Sequence, residues 1–126
     1  SYHDGGEHRP FAMVLARKAG LDLAQTLKVI GDGAGSSRMF QVRGPMMVRD
    51  DYSDATMKVE VWQKDMHIIG EYATQLGCPT PLFAATAPLY TAAIAEGFAK
   101  EDTGSVCAVL GAMAGLERRT RRRSKP

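Results

Sequence analysis

A lysine and an aspartate, Lys64 and Asp65, stand side by side in the stretch WQKDMHIIGEYATQLG, and together the two charges could shape a polar site. At about 100° per residue the stretch predicts an amphipathic helix. Its apolar stripe consists of Trp62, Met66, Ile69, Ala73 and Leu76. Val61, Ile68 and Tyr72 widen the stripe on one side. Asp65 therefore falls within the widened apolar face, and Lys64 lies on its far edge.

The position of Asp65 needs a physical reason, because burying a lone carboxylate is costly unless it is paired or hydrogen-bonded. Asp65 could pair with a basic side chain at a rim, bond a helix N-terminus, or shape a site together with Lys64. Glu60, four residues before Lys64, offers a surface partner. Periodicity alone favours structural ion pairs and predicts that Asp65 is at least partly buried and makes a polar contact.

Length and composition indicate one small globular domain with a single core. The chain has 126 residues, of which 44% are apolar and 24% are charged. No run of eighteen apolar residues and no secretion signal occur, so we expect a cytoplasmic protein with no membrane contact. Cys78 and Cys107 lack metal-ligand spacing and are predicted to be free thiols, with a disulfide as the minor alternative.

The first ten residues, SYHDGGEHRP, lack periodicity and are predicted to be a disordered leader or an expression remnant. His3 and His8 lie near Asp4 and Glu7, but no third ligand is well placed. We therefore predict no metal site.

The last nine residues, 118–126, form a basic tail with six positive charges, which leaves residues 1–117 with a net charge of −4. Such a tail could contact nucleic acid or an acidic membrane. Because no aromatic residues are interleaved for base stacking, we favour a solvated, frayed end and do not expect nucleic-acid binding.

Between these ends, 3.6-residue periodicity and turn residues predict about six helices and no strand. A short helix is expected from Phe11 to Ala19, after Pro10. A second helix follows an Asp22 cap and ends at Gly31. The loop GDGAGSS then follows a helix rather than a strand, so it lacks the context of a dinucleotide fingerprint, and Ser36 or Ser37 is expected to cap the next helix.

The remaining helices are separated by proline and glycine. A loop is predicted over Pro45–Asp54, with the long helix starting around Met57 and ending before GCPTP. An apolar helix follows over Leu82–Phe98. Asp102 or Thr103 then caps a last helix, whose buried stripe is predicted to consist of Val106, Val109, Leu110 and Met113. The predicted fold is a compact all-α domain.

Three segments carry a resemblance to a known family: ARKAGLDLAQTLKVIGDGAGSS, WQKDMHIIGEYATQLGCPTPL and PLYTAAIAEGFAKEDTGSVCAVL. The chain from Phe11 to Gly115 resembles the C-terminal helical domain of the β-hydroxyacid dehydrogenases, which act on 3-hydroxyisobutyrate, tartronate semialdehyde or L-threonate. The lysine–aspartate pair and the small residue–proline turn that follows its helix are the most specific part. The resemblance implies a helical domain over residues 11–117, like the C-terminal domain of 6-phosphogluconate dehydrogenase.

The resemblance also implies an activity. In this family a Rossmann domain binds NAD or NADP, and a long helix after it carries a catalytic lysine. That lysine assists proton removal from a small hydroxy acid while the nicotinamide takes the hydride. Neither part is present in this sequence, so we expect an excised domain with no catalytic residue, no cofactor bound to it and no activity by itself.

The site residues that the resemblance implies lie on the long helix. Lys64 matches the family lysine that reaches the cofactor at the domain cleft, and Asp65 matches the aspartate that helps to hold the cleft together. Met57 stands where the family often has a phenylalanine facing the cleft. Ser36 and Ser37 match a loop near the cofactor. The implied partners are the Rossmann domain, the substrate and further copies of the chain, while the alternative is a non-catalytic helical dimerisation or interaction module.

Overall fold

The computed structural model describes the backbone of residues 4–118 and the side chains of residues 10–118. Its helices are α1 (Asp4–Lys18), α2 (Leu23–Gly31), α3 (Arg38–Arg49), α4 (Val59–Gln75), α5 (Pro81–Ala95), a 3-10 helix (Thr103–Ser105) and α6 (Val106–Met113). Within the described residues the only β-type pairing is a single bridge between Lys58 and Asp102. The predicted all-α fold of about six helices is confirmed.

The core is built around α6, whose first six residues, Val106–Gly111, are all buried. Helices α1 and α5 pack against α6, and α2 packs against α1 and α3. The largest side chains in this core are Met13, Phe40, Met46, Met47, Tyr52, Met66, Tyr90 and Phe98. None of the described helices is long and apolar enough to span a membrane.

Local signals placed several helix ends correctly. The Asp22 carboxylate accepts a hydrogen bond from the Gln25 amide (2.9 Å), and the Ser37 hydroxyl accepts one from the Phe40 amide (3.1 Å). Gly77, with φ of +68°, follows the end of α4, and Pro81 opens α5. The GDGAGSS loop joins α2 to α3, so it does follow a helix as predicted. Cys78 and Cys107 are free thiols, which confirms that prediction.

Two predicted helix boundaries that relied on a proline, at Pro10 and at Pro45, are wrong. Residues 4–10 are helical rather than a disordered leader, and Pro10 lies inside α1 as a buried residue that lines a pocket with Phe40 and Tyr90. Helix α3 likewise continues through Pro45 to Arg49, where we expected a loop. In both cases tertiary packing offsets the backbone hydrogen bond that a proline removes.

Met113 was expected in the buried stripe of α6, but it is exposed because it sits in the final turn. The predictions for His3, the His8 side chain and the basic residues 119–125 lie outside the described residues. Arg118, by contrast, belongs to the folded body, so the expected start of the solvated tail at residue 118 is wrong.

Arg118 joins the segment that follows α6 to the C-terminal end of α3. Its Nε contacts both carboxylate oxygens of Asp50, at 2.8 and 2.7 Å, and its Nη2 donates to the Asp50 carbonyl at 2.7 Å. The guanidinium also lies over the rings of Tyr52 and Phe98, 5.7 and 5.2 Å from their centroids. Burial raises the pKa of Tyr52, so its phenol stays neutral and the cation faces an uncharged ring.

We therefore expect Arg118→Ala to lower the free energy of unfolding by about 1.5–3 kcal/mol, the typical contribution of a charge-assisted hydrogen bond. Urea denaturation would measure the change, with Arg38→Ala, an exposed arginine of α3, as the control. Equal stabilities for the two variants would show that Arg118 is only the first residue of a solvated tail.

Candidate functional site

The helix that carries Lys64 and Asp65 is anchored at its start by one buried carboxylate. Asp102 has no exposed surface. Its Oδ2 accepts from Arg43 Nε (3.0 Å) and from the Gly104 amide (2.7 Å). Its Oδ1 accepts from the amide and hydroxyl of Thr56 (3.0 Å each) and from the Met57 amide (3.2 Å). One side chain thus joins α3, the 3-10 helix and the segment that leads into α4.

Backbone pairing completes this anchor. Lys58, at the N-cap of α4, provides no side-chain cap. Instead the amides of Val59 and Glu60 donate to the carbonyls of Glu101 (3.0 Å) and Ala99 (2.9 Å). Two amides of the first turn of α4 are therefore satisfied by the turn that precedes the 3-10 helix. This arrangement fixes the direction in which α4 leaves the core.

Only a narrow stripe of α4 is buried. Val59 and Met66 are buried, and Trp62 packs edge-to-face on Phe83 and Tyr90, with ring centroids 6.5 and 6.3 Å apart. The expected widening of this face is wrong, because Val61, Ile68 and Tyr72 are exposed. The reason is that α4 packs extensively only against α5 among the described helices, and one neighbour covers only one stripe.

Lys64 is exposed and Asp65 is half-buried. The partial burial expected for Asp65 is confirmed. The expected polar contact is absent within residues 10–118, and the possible Lys64–Glu60 ion pair is also absent there. Because Asp65 is only partly buried, its carboxylate does not bear the full desolvation cost of a buried charge.

The other candidates divide into two groups. Met57 is half-buried directly before α4, and its amide belongs to the Asp102 network, so the fold brings it to the same end of the helix as Lys64 and Asp65. Ser36 and Ser37 lie in the separate connection from α2 to α3, where Ser37 acts as a helix cap. No local pattern indicated the wider role of Asp102, which we expected only as one of two possible helix caps.

Comparison with known proteins assigns the family. Residues 11–110 match the family described as NAD-binding of NADP-dependent 3-hydroxyisobutyrate dehydrogenase. The chain belongs to this 3-hydroxyisobutyrate dehydrogenase family.

Individual relatives are dehydrogenases and reductases. The chain is 32% identical over 103 residues to an L-threonate dehydrogenase of Haemophilus influenzae, covering 82% of this chain and 34% of that protein. It is 31% identical over 105 residues to the chloroplastic glyoxylate/succinic semialdehyde reductase 2 of Arabidopsis thaliana, covering 83% of this chain and 29% of that protein. The chain thus spans about a third of the length of the relatives it matches.

A solved structure shows the same fold. The chain superposes on a crystal structure of 3-hydroxyisobutyrate dehydrogenase from Salmonella typhimurium with a TM-score of 0.74 and 32% identity. The match covers 79% of this chain and 35% of that one.

Proposed function

We propose that this chain is the C-terminal helical domain of an NAD(P)-dependent dehydrogenase that oxidises a small β-hydroxy acid of the 3-hydroxyisobutyrate or L-threonate type. The family match and the named dehydrogenase relatives support the activity. The helical domain would act together with a dinucleotide-binding domain and the substrate, in the cytoplasm.

The family description attributes NAD binding to this part of the protein. The all-helical structure of the chain limits how NAD can be bound. A Rossmann domain holds the pyrophosphate on backbone amides where a strand turns into a helix. Residues 4–118 contain no strand that could build such a turn. We therefore propose that α4 forms one wall of a cofactor cleft whose phosphate cradle lies on the other domain.

The observation that carries this proposal is the exposure of the Lys64 side chain. Its ammonium is exposed and unpaired within residues 10–118, on a helix whose start is fixed by Asp102. A cation presented on a rigid element suits an anionic group of NAD or NADP. Met57 and Asp65, at the same end of the helix, would shape the cleft around the ligand.

In the complete reaction NAD(P) supplies the hydride acceptor. The residues of this chain would bind and orient the cofactor and help to exclude water. None of Lys64, Asp65 and Met57 is proposed to take the hydroxyl proton, so the 126 residues alone should neither turn over substrate nor bind the cofactor with useful affinity.

Two observations would test the proposal. Upstream of this coding segment we expect a reading frame that encodes a GxGxxG unit between a strand and a helix. Fluorescence titration of the 126-residue chain with NADH and NADPH should show no saturation in the micromolar range. Micromolar binding by this chain, or an upstream region without a dinucleotide fingerprint, would contradict the proposal and favour a non-catalytic interaction module.

A further inference from the structure

A cavity of about 60 Å³ lies between α3, α5 and the 3-10 helix. One water molecule needs roughly 10–15 Å³, so the cavity has room for a larger ligand. Several of the residues that line it are buried, whereas Met39, Arg43 and Thr103 are half-buried. The buried lining side chains are Phe40, Met47, Tyr90 and Val106. The cavity thus has a mainly apolar interior and opens to solvent beside Arg43.

Arg43 is the only charged residue among the described residues that line this cavity, and its side chain is 17% exposed. Its Nε donates to Asp102 Oδ2 (3.0 Å), and its Nη1 donates to Met39 Sδ (2.9 Å). A guanidinium has five N–H donors, and a thioether sulfur is only a weak acceptor. Three donors of Arg43 therefore have no acceptor within residues 10–118.

Asp102 neutralises Arg43 only in part. Its carboxylate also accepts hydrogen bonds from the Gly104 amide, the Met57 amide and both the amide and the hydroxyl of Thr56. The negative charge is shared among these donors, and the described lining residues include no second carboxylate. The wall that Arg43 forms is therefore electropositive.

The neighbours of the guanidinium show how it is placed. Met39, which contacts Nη1, and Gly104, which shares the Asp102 oxygen with Nε, both line the cavity. The guanidinium thus lies along the cavity wall between them. Thr103 adds a hydroxyl group that has no hydrogen-bond partner among the described residues, while its amide donates to the Met57 carbonyl (2.9 Å).

We propose that this cavity binds a small free monocarboxylate with a short alkyl group, of the size of acetate or propionate. The unused Nη donors of Arg43 would hold the carboxylate in a forked pair of hydrogen bonds. The Thr103 hydroxyl would donate to one of the two oxygens, and the alkyl group would pack against Phe40 and Val106. Because Nε would stay on Asp102, binding would leave the anchor of α4 in place.

This site is separate from the proposed cofactor wall. None of the described residues that line the cavity belongs to α4, which carries Lys64 and Asp65. The inference therefore goes beyond the proposed function and does not depend on it.

NMR titration of the isotope-labelled 126-residue chain with sodium propionate at constant ionic strength would test the proposal. The Arg43 Nε–H and the amides of Thr103 and Gly104 should shift with a dissociation constant of about 0.1–10 mM. Propionamide, which has the same shape without the charge, should give no saturable shift. Pivalate, whose three methyl groups are too wide for the cavity, should bind at least about tenfold more weakly. Shifts that do not saturate below about 50 mM propionate, or that are equal for propionamide, would overturn the proposal.

Variants of the cavity give a second test. Arg43→Lys keeps the charge but loses the fork, so the dissociation constant should rise roughly tenfold or more. Thr103→Val removes the hydroxyl at nearly constant volume, should also weaken binding, and keeps the test decisive if Arg43→Lys does not fold. Arg38→Lys, at an exposed arginine of α3, is the control and should bind propionate like the original chain. An unchanged dissociation constant for a folded cavity variant, or an equal rise for Arg38→Lys, would contradict the assignment.

Discussion

The variant Asp102→Ala is expected to lose about 3–5 kcal/mol of unfolding free energy, the typical cost of breaking a buried ion pair. The substitution removes the acceptor for Arg43, Gly104, Thr56 and Met57 at once. It also frees the start of α4 from the 3-10 helix. Thermal and urea denaturation would measure the loss, and the melting temperature should fall by about 10 °C or more.

A matched control distinguishes the loss of stability caused by breaking this network from the effect of removing any aspartate. Asp54 is an exposed aspartate in the loop before α4, and Asp54→Ala should change stability by less than about 0.5 kcal/mol. Adding Arg43→Met to Asp102→Ala should recover part of the loss, because no unpaired guanidinium then remains. A loss below about 1 kcal/mol for Asp102→Ala would contradict the anchoring role.

Signals confined to a few residues predicted the structure well. The caps at Asp22 and Ser37 depend on hydrogen bonds three residues away, so the sequence contains both partners. Pro10 and Pro45 were misread because their effect depends on distant packing. Gly44, directly before Pro45, illustrates this dependence, since a Cβ there would clash with the Leu27 side chain of the neighbouring helix. Only the fold shows that α3 meets Leu27 at this point and that the helix continues through Pro45.

In the candidate site, too, local patterns could be predicted from the sequence and long-range contacts could not. Periodicity placed Asp65 on a partly covered side of α4, but it could not show how many neighbours α4 has, and one neighbour leaves Ile68 and Tyr72 exposed. The link between Asp102 and Arg43 spans 59 residues, and nothing in the spacing of either residue indicates the other. The role of Lys64 came from the family resemblance, and its exposure agrees with that role without testing it.

The second large effect is expected for Lys64→Ala in the two-domain enzyme that the proposal implies. A hydrogen bond to a charged group typically contributes about 1.5–3 kcal/mol. Its loss corresponds to roughly 10- to 100-fold weaker cofactor binding, since about 1.4 kcal/mol is a factor of ten. The domain itself should stay folded, because Lys64 is exposed and makes no contact that holds α4 in place. Lys64→Arg should retain part of the affinity by preserving the charge.

The central claim is that α4 forms a wall of the cofactor cleft, and the most direct test is the dissociation constant for NAD(P)H measured on that enzyme by fluorescence titration. The comparison is between Lys64→Ala and Lys28→Ala, because Lys28 is an exposed lysine on the separate helix α2. We predict a rise of roughly 10- to 100-fold for Lys64→Ala and a change of less than about twofold for Lys28→Ala. Equal dissociation constants for the two variants, with both proteins folded, would contradict the claim.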